Sequence, residues 1–171
     1  RALLGIDTRS SLILSHGRLA AGKGLEALLL ATRYLIERGK AIQLVLAGDG
    51  DLRPDLERQA DEFGLSTHVT FTGFRDDIGD LLTAADVVAL PSLREGLSIS
   101  LLEAMAAGRP IVASSMGSNT EATRSGYGAL LGPPNDISAL TDELLRLIES
   151  PALAAKIASR AHAIYEESYT E

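Results

Sequence analysis

The chain has 171 residues, 16 of them basic and 23 acidic, for a formal charge of −7, and 46% are apolar although only 4% are aromatic. That length and apolar content suit one folded domain built on aliphatic side chains, and the acidic balance argues against nucleic acid or an anionic membrane as the main partner. Cysteine is absent, which excludes disulfides and thiolate metal sites. The sequence shows neither a signal peptide nor an apolar run long enough to cross a bilayer, and we expect it to work in the cytoplasm. It opens at Arg1 and ends at YEESYTE, and we expect an excised domain with no internal boundary over 1–171.

Strand and helix patterns alternate along the chain. Ser11 to Ser15 reads as a strand, Gly24 to Glu37 as a helix, Ile42 to Ala47 as a strand, and Leu52 to Phe63 as a helix. HVTFTG holds a third strand, and Asp76 to Ala84 a short helix with Asp77 as a candidate cap. Asp86 to Leu90 is a fourth strand, Ser98 to Ala107 a helix, Pro110 to Ser114 a fifth strand, and Gly128 to Leu131 a sixth. Ile137 to Glu149 is a helix entered from Asn135 or Asp136, and Ser150-Pro151 opens the last one with Ser as cap and Pro at its first position. Strands made of consecutive apolar residues are buried on both faces. With helices between them, they predict an open, mostly parallel Rossmann-like α/β sheet with helices on both faces. Ligands of such sheets bind beyond the carboxyl ends of the strands, near a reversal of strand order. The candidate loops are therefore His16 to Gly24, Gly48 to Asp51, Gly73 to Asp77, Pro91 to Ser98 and Ser114 to Glu121.

The first loop, HGRLAAGKG, supplies Gly17, Gly22 and Gly24 for close backbone approach and Arg18 and Lys23 as cationic donors for a diphosphate. Its G-x-x-x-x-G-K spacing is that of a Walker A loop, but Gly24 stands where the magnesium-binding Ser or Thr belongs. The glycine spacing of the dinucleotide fingerprint is wrong as well. A flexible turn with two solvated cations is the simpler reading of the same residues. Two carboxylates, Glu95 and Glu103, are separated by seven residues in EGLSISLLEAMAAGRPIVAS. This spacing suits two distinct ligand contacts better than an acid–base pair. Ser100-x-x-Glu103 also satisfies a capping box, and Glu95 also reads as a solvated loop residue. Phe74 fits either a ligand contact or a packed turn. In SMGSNTE, Asn119 and Thr120 read as caps of a helix leading to Glu121.

In order, GR then KG, GDG, FTGF, ADV, PS, EG then LEAMA, G-PIVAS and G-x-x-x-E resemble the nucleotide-sugar-binding domain of retaining glycosyltransferases with two facing Rossmann-like domains. This is the glycosyl transferases group 1 type, glycosyltransferase family 4, and the resemblance covers nearly the whole chain. It implies the C-terminal half of a GT-B architecture, with a facing N-terminal acceptor domain absent from this chain. It implies a nucleoside-diphosphate sugar as donor, no metal or other cofactor, no nucleic acid partner, and membrane association only for a full-length protein. The resemblance assigns catalytic roles to Arg18, Lys23 and Glu95. It assigns donor binding to these three and to Gly17, Gly48, Phe74, Arg75, Gly96, Leu97, Ser98 and Glu103. Arg18 and Lys23 would grip the diphosphate, Glu95 the sugar hydroxyls and Glu103 the ribose, with backbone after Gly73 reading the base edge. The chain departs from the family pattern at Ser98 and at Ser118, which replaces a second glycine. A nucleotide-sugar epimerase or hydrolase of related fold, and a non-catalytic nucleotide-sugar-binding module, stay open as alternatives.

Overall fold

The computed structural model describes residues 1–170. After a short 3-10 turn at Ala2–Leu4 come six strands: β1 (Ser11–His16), β2 (Ile42–Ala47), β3 (Val69–Gly73), β4 (Val87–Leu90), β5 (Ile111–Ser114) and β6 (Leu130–Gly132). Between and after them run α1 (Leu25–Glu37), α2 (Arg53–Glu62), α3 (Ile78–Ala84), α4 (Ile99–Ala106), α5 (Gly117–Ala122), α6 (Ile137–Glu149) and α7 (Pro151–Ser168). The strands form a single sheet in the order β3-β2-β1-β4-β5-β6, and every neighbouring pair is parallel. The expected open parallel α/β sheet is what forms.

Alternate residues of β1, β2, β4 and β5 feed two cores, as a sheet covered on both faces requires. Ile13, Leu44, Leu46, Val87, Ala89 and Val112 pack with Leu28 and Leu35 of α1, Leu56 of α2, and Leu144 of α6. On the opposite face Leu12, Leu14, Val45, Val88, Ile111 and Ala113 pack with Leu82 of α3, Leu101 and Met105 of α4, and Ala122 of α5. The last helix passes from one layer to the other, with Ile157 in the first core and Ala161 and Ile164 in the second. Ser150 and Asp136 cap their helices as read, accepting from Leu153 N and Ala139 N.

Three local expectations are corrected. Asp77 precedes α3 but makes no side-chain cap, because Arg75 holds its carboxylate. The helix after β5 begins at Gly117 behind Met116, so Asn119 and Thr120 lie inside it; the Asn119 amide is buried and donates to Ser114 O at 2.9 Å. The helix predicted from Gly24 starts one residue later, with Gly24 as its left-handed cap at φ 67°.

Gly24 is held there by the fold. A Cβ on it would sit 2.0 Å from Pro91 O, at the end of β4. This contact explains in steric terms why the Walker A hydroxyl is missing. Gly24→Ala combines that overlap with a left-handed conformation that costs an L-residue about 1–2 kcal/mol, so we expect a loss of at least about 2 kcal/mol and a melting temperature lower by roughly 4–8 °C. Gly79→Ala, in α3 with nothing within 4 Å of a new Cβ, is the control. It should leave the melt unchanged or raise it slightly, and equal effects of the two substitutions would refute the steric account.

Candidate active site

The strand order reverses between β1 and β4, whose connections leave to opposite faces of the sheet. β1 stays paired with β2 to its end at His16↔Ala47, but its pairing with β4 stops at Leu14↔Val88. The carboxyl ends of β1 and β4 therefore part, and the loops after them frame a crevice. Backbone bonds tie those loops down: Gly17 N to Ala47 O at 2.9 Å, Leu19 N to Asp49 O at 2.9 Å, and Leu93 N to Gly22 O at 2.7 Å. Gly48, at φ 144°, lies so close to the first loop that a Cβ would meet Gly17 O at 1.9 Å.

Two adjoining cavities open here. A narrow one of about 20 Å³ is lined by His16, Gly17, Arg18, Lys23, Glu95 and Ser98 among others. A wider one of about 420 Å³ is lined by Gly17, Arg18, Gly48, Phe74, Arg75 and Glu103 among others. Gly17, Arg18, His16 and Ser100 belong to both. Nine of the eleven residues singled out in the sequence line one or both cavities, and the two carboxylates divide between them. Gly96 and Leu97 lie exposed on the loop between Glu95 and the buried Ser98. Arg75 lines the wide cavity, but its guanidinium is engaged by Asp77, whose carboxyl is held below its ordinary range by that hydrogen bond.

The charged groups differ in how far they are committed. Arg18 is 72% exposed, and its nearest carboxylate oxygen, on Asp51, is 4.0 Å away. Lys23 pairs with Glu95, and the two side chains are 30% and 19% exposed. Glu95 is also fixed from below. Ser92 Oγ donates to its Oε2 at 2.8 Å and Ser118 Oγ to its backbone oxygen at 3.1 Å. Ser114 Oγ in turn donates to Ser92 O, and Asn119 Nδ2 to Ser114 O. Ser118, where the family pattern has a glycine, thus anchors the loop that carries Glu95.

The capping box at Ser100 does not form. Ser98 caps α4, accepting from Leu101 N at 3.3 Å, while Ser100 Oγ donates to His16 O at 2.9 Å. Glu103 is then free to turn toward the crevice, where its Oε2 lies 2.9 Å from His16 Nε2. Phe74 is 85% exposed at the cavity rim, not packed in the core. His16 and Ser92 are parts of the site that the sequence did not single out, and Ser100, read there as a capping residue, instead bonds the end of β1. Ser92 and Ser100 carried a signal in their position beside Pro91 and Glu103, whereas a histidine before a glycine has no spacing of its own to mark it. Among the described residues no group of three or more His, Cys, Asp or Glu is placed to hold a metal ion, and no helix is long and apolar enough to cross a membrane.

Burial pushes the His16 imidazole below its ordinary pKa of 6.5, against the opposing pull of Glu103. The native state therefore binds fewer protons than the unfolded chain just below pH 6.5. This part of the stability is complete above that pH and is lost as pH falls. Between pH 7.5 and 5.0 the parent should lose more melting temperature than His16→Gln, which carries no imidazole at this position. Parallel slopes in scanning calorimetry would show that His16 does not contribute.

Comparison with known proteins gives the same pattern. The family described as glycosyl transferases group 1 matches residues 1–163. Alpha-D-kanosaminyltransferase of Streptomyces kanamyceticus is 35% identical over 172 residues, which is 99% of this chain and 44% of that protein. D-inositol 3-phosphate glycosyltransferase of Mycolicibacterium paratuberculosis is 33% identical, over 99% of this chain and 39% of that protein. This chain thus spans less than half the length of these relatives. Among solved structures, HepE of Anabaena in complex with UDP superposes with a TM-score of 0.91 at 30% identity, covering 99% of this chain and 47% of HepE. The C-terminal domain of LpcC from Francisella tularensis, at 24% identity, shares the fold with a TM-score of 0.84 over 94% of this chain and 86% of that domain. The sheet is the C-terminal half of a GT-B fold, and the chain belongs to the glycosyl transferases of group 1.

Proposed function

We propose that this chain is the donor-binding domain of a retaining glycosyltransferase, which moves a hexose from a nucleoside-diphosphate sugar to an acceptor held by a second, N-terminal domain. The observation that carries the reading is the crevice at the strand reversal, where an uncommitted Arg18 stands between the Lys23–Glu95 pair and Glu103. That crevice suits an elongated ligand with a charged middle. The diphosphate sits against Arg18 and Lys23, the hexose near Glu95 and the Gly96–Ser98 backbone, and the ribose near Glu103. The base lies toward Phe74, in the wider cavity. The HepE structures with UDP and with UDP-glucose make UDP the first nucleotide to test.

The chemistry follows from those positions. As the bond between the anomeric carbon and the diphosphate oxygen breaks, negative charge grows on the leaving nucleoside diphosphate. Arg18 and Lys23 are preorganised cations at that point, where stabilisation of developing charge is most effective. Lys23 is bonded to Glu95 without ligand, so an incoming diphosphate competes for it and releases the Glu95 carboxylate to accept from sugar hydroxyls. The serine chain beneath Glu95 keeps the carboxylate in place through that exchange.

Calorimetric titration with UDP, GDP, ADP and their glucose and mannose conjugates tests this reading. Arg18→Ala should weaken the preferred nucleotide about tenfold to a hundredfold, the scale of a lost charge-assisted hydrogen bond. Arg58→Ala, on α2 and paired with Asp55 and Glu62, should leave affinity unchanged. Absence of binding to any of these at millimolar concentration, or equal affinity of the Arg18 variant, would overturn the proposal. This chain alone should bind donor without transferring sugar.

A further inference from the structure

His16 combines three properties that core packing alone does not account for. Its side chain is 3% exposed, yet it lines both cavities of the crevice. Its Nε2 lies 2.9 Å from Oε2 of Glu103, whose own side chain is 45% exposed. Its Nδ1 is buried with no hydrogen-bond partner. Buried polar atoms are seldom left unpaired, so the ring is kept in place by what its other nitrogen does.

The tautomer follows. An ionised carboxylate only accepts hydrogen bonds, so Nε2 must carry the proton it shares with Glu103. A second proton on Nδ1 would place an unsatisfied donor in the interior, whereas a bare lone pair costs less. The neutral Nε2–H form is therefore the one present. The ring is held from the backbone side too, because Ser100 Oγ donates to His16 O at 2.9 Å and links the end of β1 to the first turn of α4. Glu103 rises from the same helix. A flexible carboxylate on a helix surface is thereby given one orientation, with Oε2 occupied from within the fold on a side chain that lines the wider cavity and stays 45% exposed.

We propose that His16 is a positioning residue for nucleotide recognition: it holds one oxygen of Glu103 so that the other is presented to the hydroxyl pair of the ribose. This rests on the donor-binding reading above. The ribose is the matching group because a carboxylate oxygen binds a hydroxyl donor, and the wider cavity lies between the cationic Arg18 and the exposed ring of Phe74. A nucleoside diphosphate laid between diphosphate and base contacts puts its sugar against Glu103.

The test compares each of UDP, GDP and ADP with its 2′,3′-dideoxy form by calorimetry, on the parent, His16→Leu and His16→Gln. His16→Leu should weaken the binding nucleotide about fivefold to tenfold, the scale of one hydrogen bond, while the affinity of its dideoxy form moves less than twofold. His16→Gln, which restores an N–H near the same place, should recover most of the loss. Equal weakening of both forms would reduce His16 to a structural role, and no weakening of either would remove it from recognition; both overturn the proposal. A parent that binds no nucleotide overturns the donor reading itself. A parent that binds, weakened by Arg18→Ala but indifferent to His16→Leu, overturns only the present proposal. Side-chain nitrogen NMR of the parent decides without any variant. The His16 Nε2 signal should be protonated and should shift with the ribonucleotide more than with the dideoxy form, and equal shifts count against the proposal.

Discussion

The structure depends on the reversal of strand order between β1 and β4. Each crossover in a parallel sheet is right-handed, so a sheet that grows from β1 toward β3 and from β4 toward β6 must send its helices to opposite faces. At that boundary no helix covers the strand ends. The β1–β4 pairing also stops at Leu14↔Val88, which leaves Ser15, His16, Ala89 and Leu90 to splay. A crevice is thus a consequence of topology before any side chain is considered, and sequence decides only what lines it.

Keeping such a crevice in one shape is a separate task, accomplished mainly by backbone. The loop after β1 lies against Gly48 on one side, while the start of α1 lies against Pro91 on the other, at separations that exclude a Cβ. Those two contacts set the height at which Arg18 and Lys23 leave the loop. Beneath the opposite wall, Asn119, Ser114 and Ser92 form a buried polar chain that ends on Glu95. Such a network, with its polar groups paired, rigidifies what it supports. Arg18 is left comparatively free, Lys23 is paired with Glu95, and the carboxylates are tethered. This is a sensible division if the ligand is itself an anion carried on a polar sugar.

Much of this was legible in the sequence. Strands such as ILIL-like SLILSH and IQLVLA, apolar without alternation, announce burial on both faces, and Ser150-Pro151 and Asp136 mark helix starts by chemistry that is local. The loops at the strand ends followed from the alternation of elements. The errors share one cause: the side chain that a local pattern would use is already engaged by another partner, near or far in sequence. Ser100 and Glu103 have the spacing of a capping box, but the Ser100 hydroxyl is taken by a carbonyl 84 positions away. Asn119 has the chemistry of a cap and is instead buried against Ser114 O. Asp77 fails as a cap because Arg75 is nearer to its carboxylate. His16 gave no signal, since its meaning comes only from Glu103, 87 positions on.

The two glutamates stand on either side of the start of α4, in adjoining cavities of one crevice. Glu95 stands before α4 on a loop, against Lys23 and Ser92, while Glu103 sits within the helix, against His16. Their separate partners place them in separate cavities, and each partner leaves part of its carboxylate exposed. They are therefore not arranged to share a proton, as a general acid and base on one bond must be. Glu103 belongs to the body of α4, which Ser98 caps and Ser100 anchors to β1, whereas Glu95 is held by Lys23, Ser92 and Ser118 on the loop before it. On the proposed reading, recognition of the nucleotide follows α4 while orientation of the sugar follows the loop before it, and the cations on the facing loop act on what the two present.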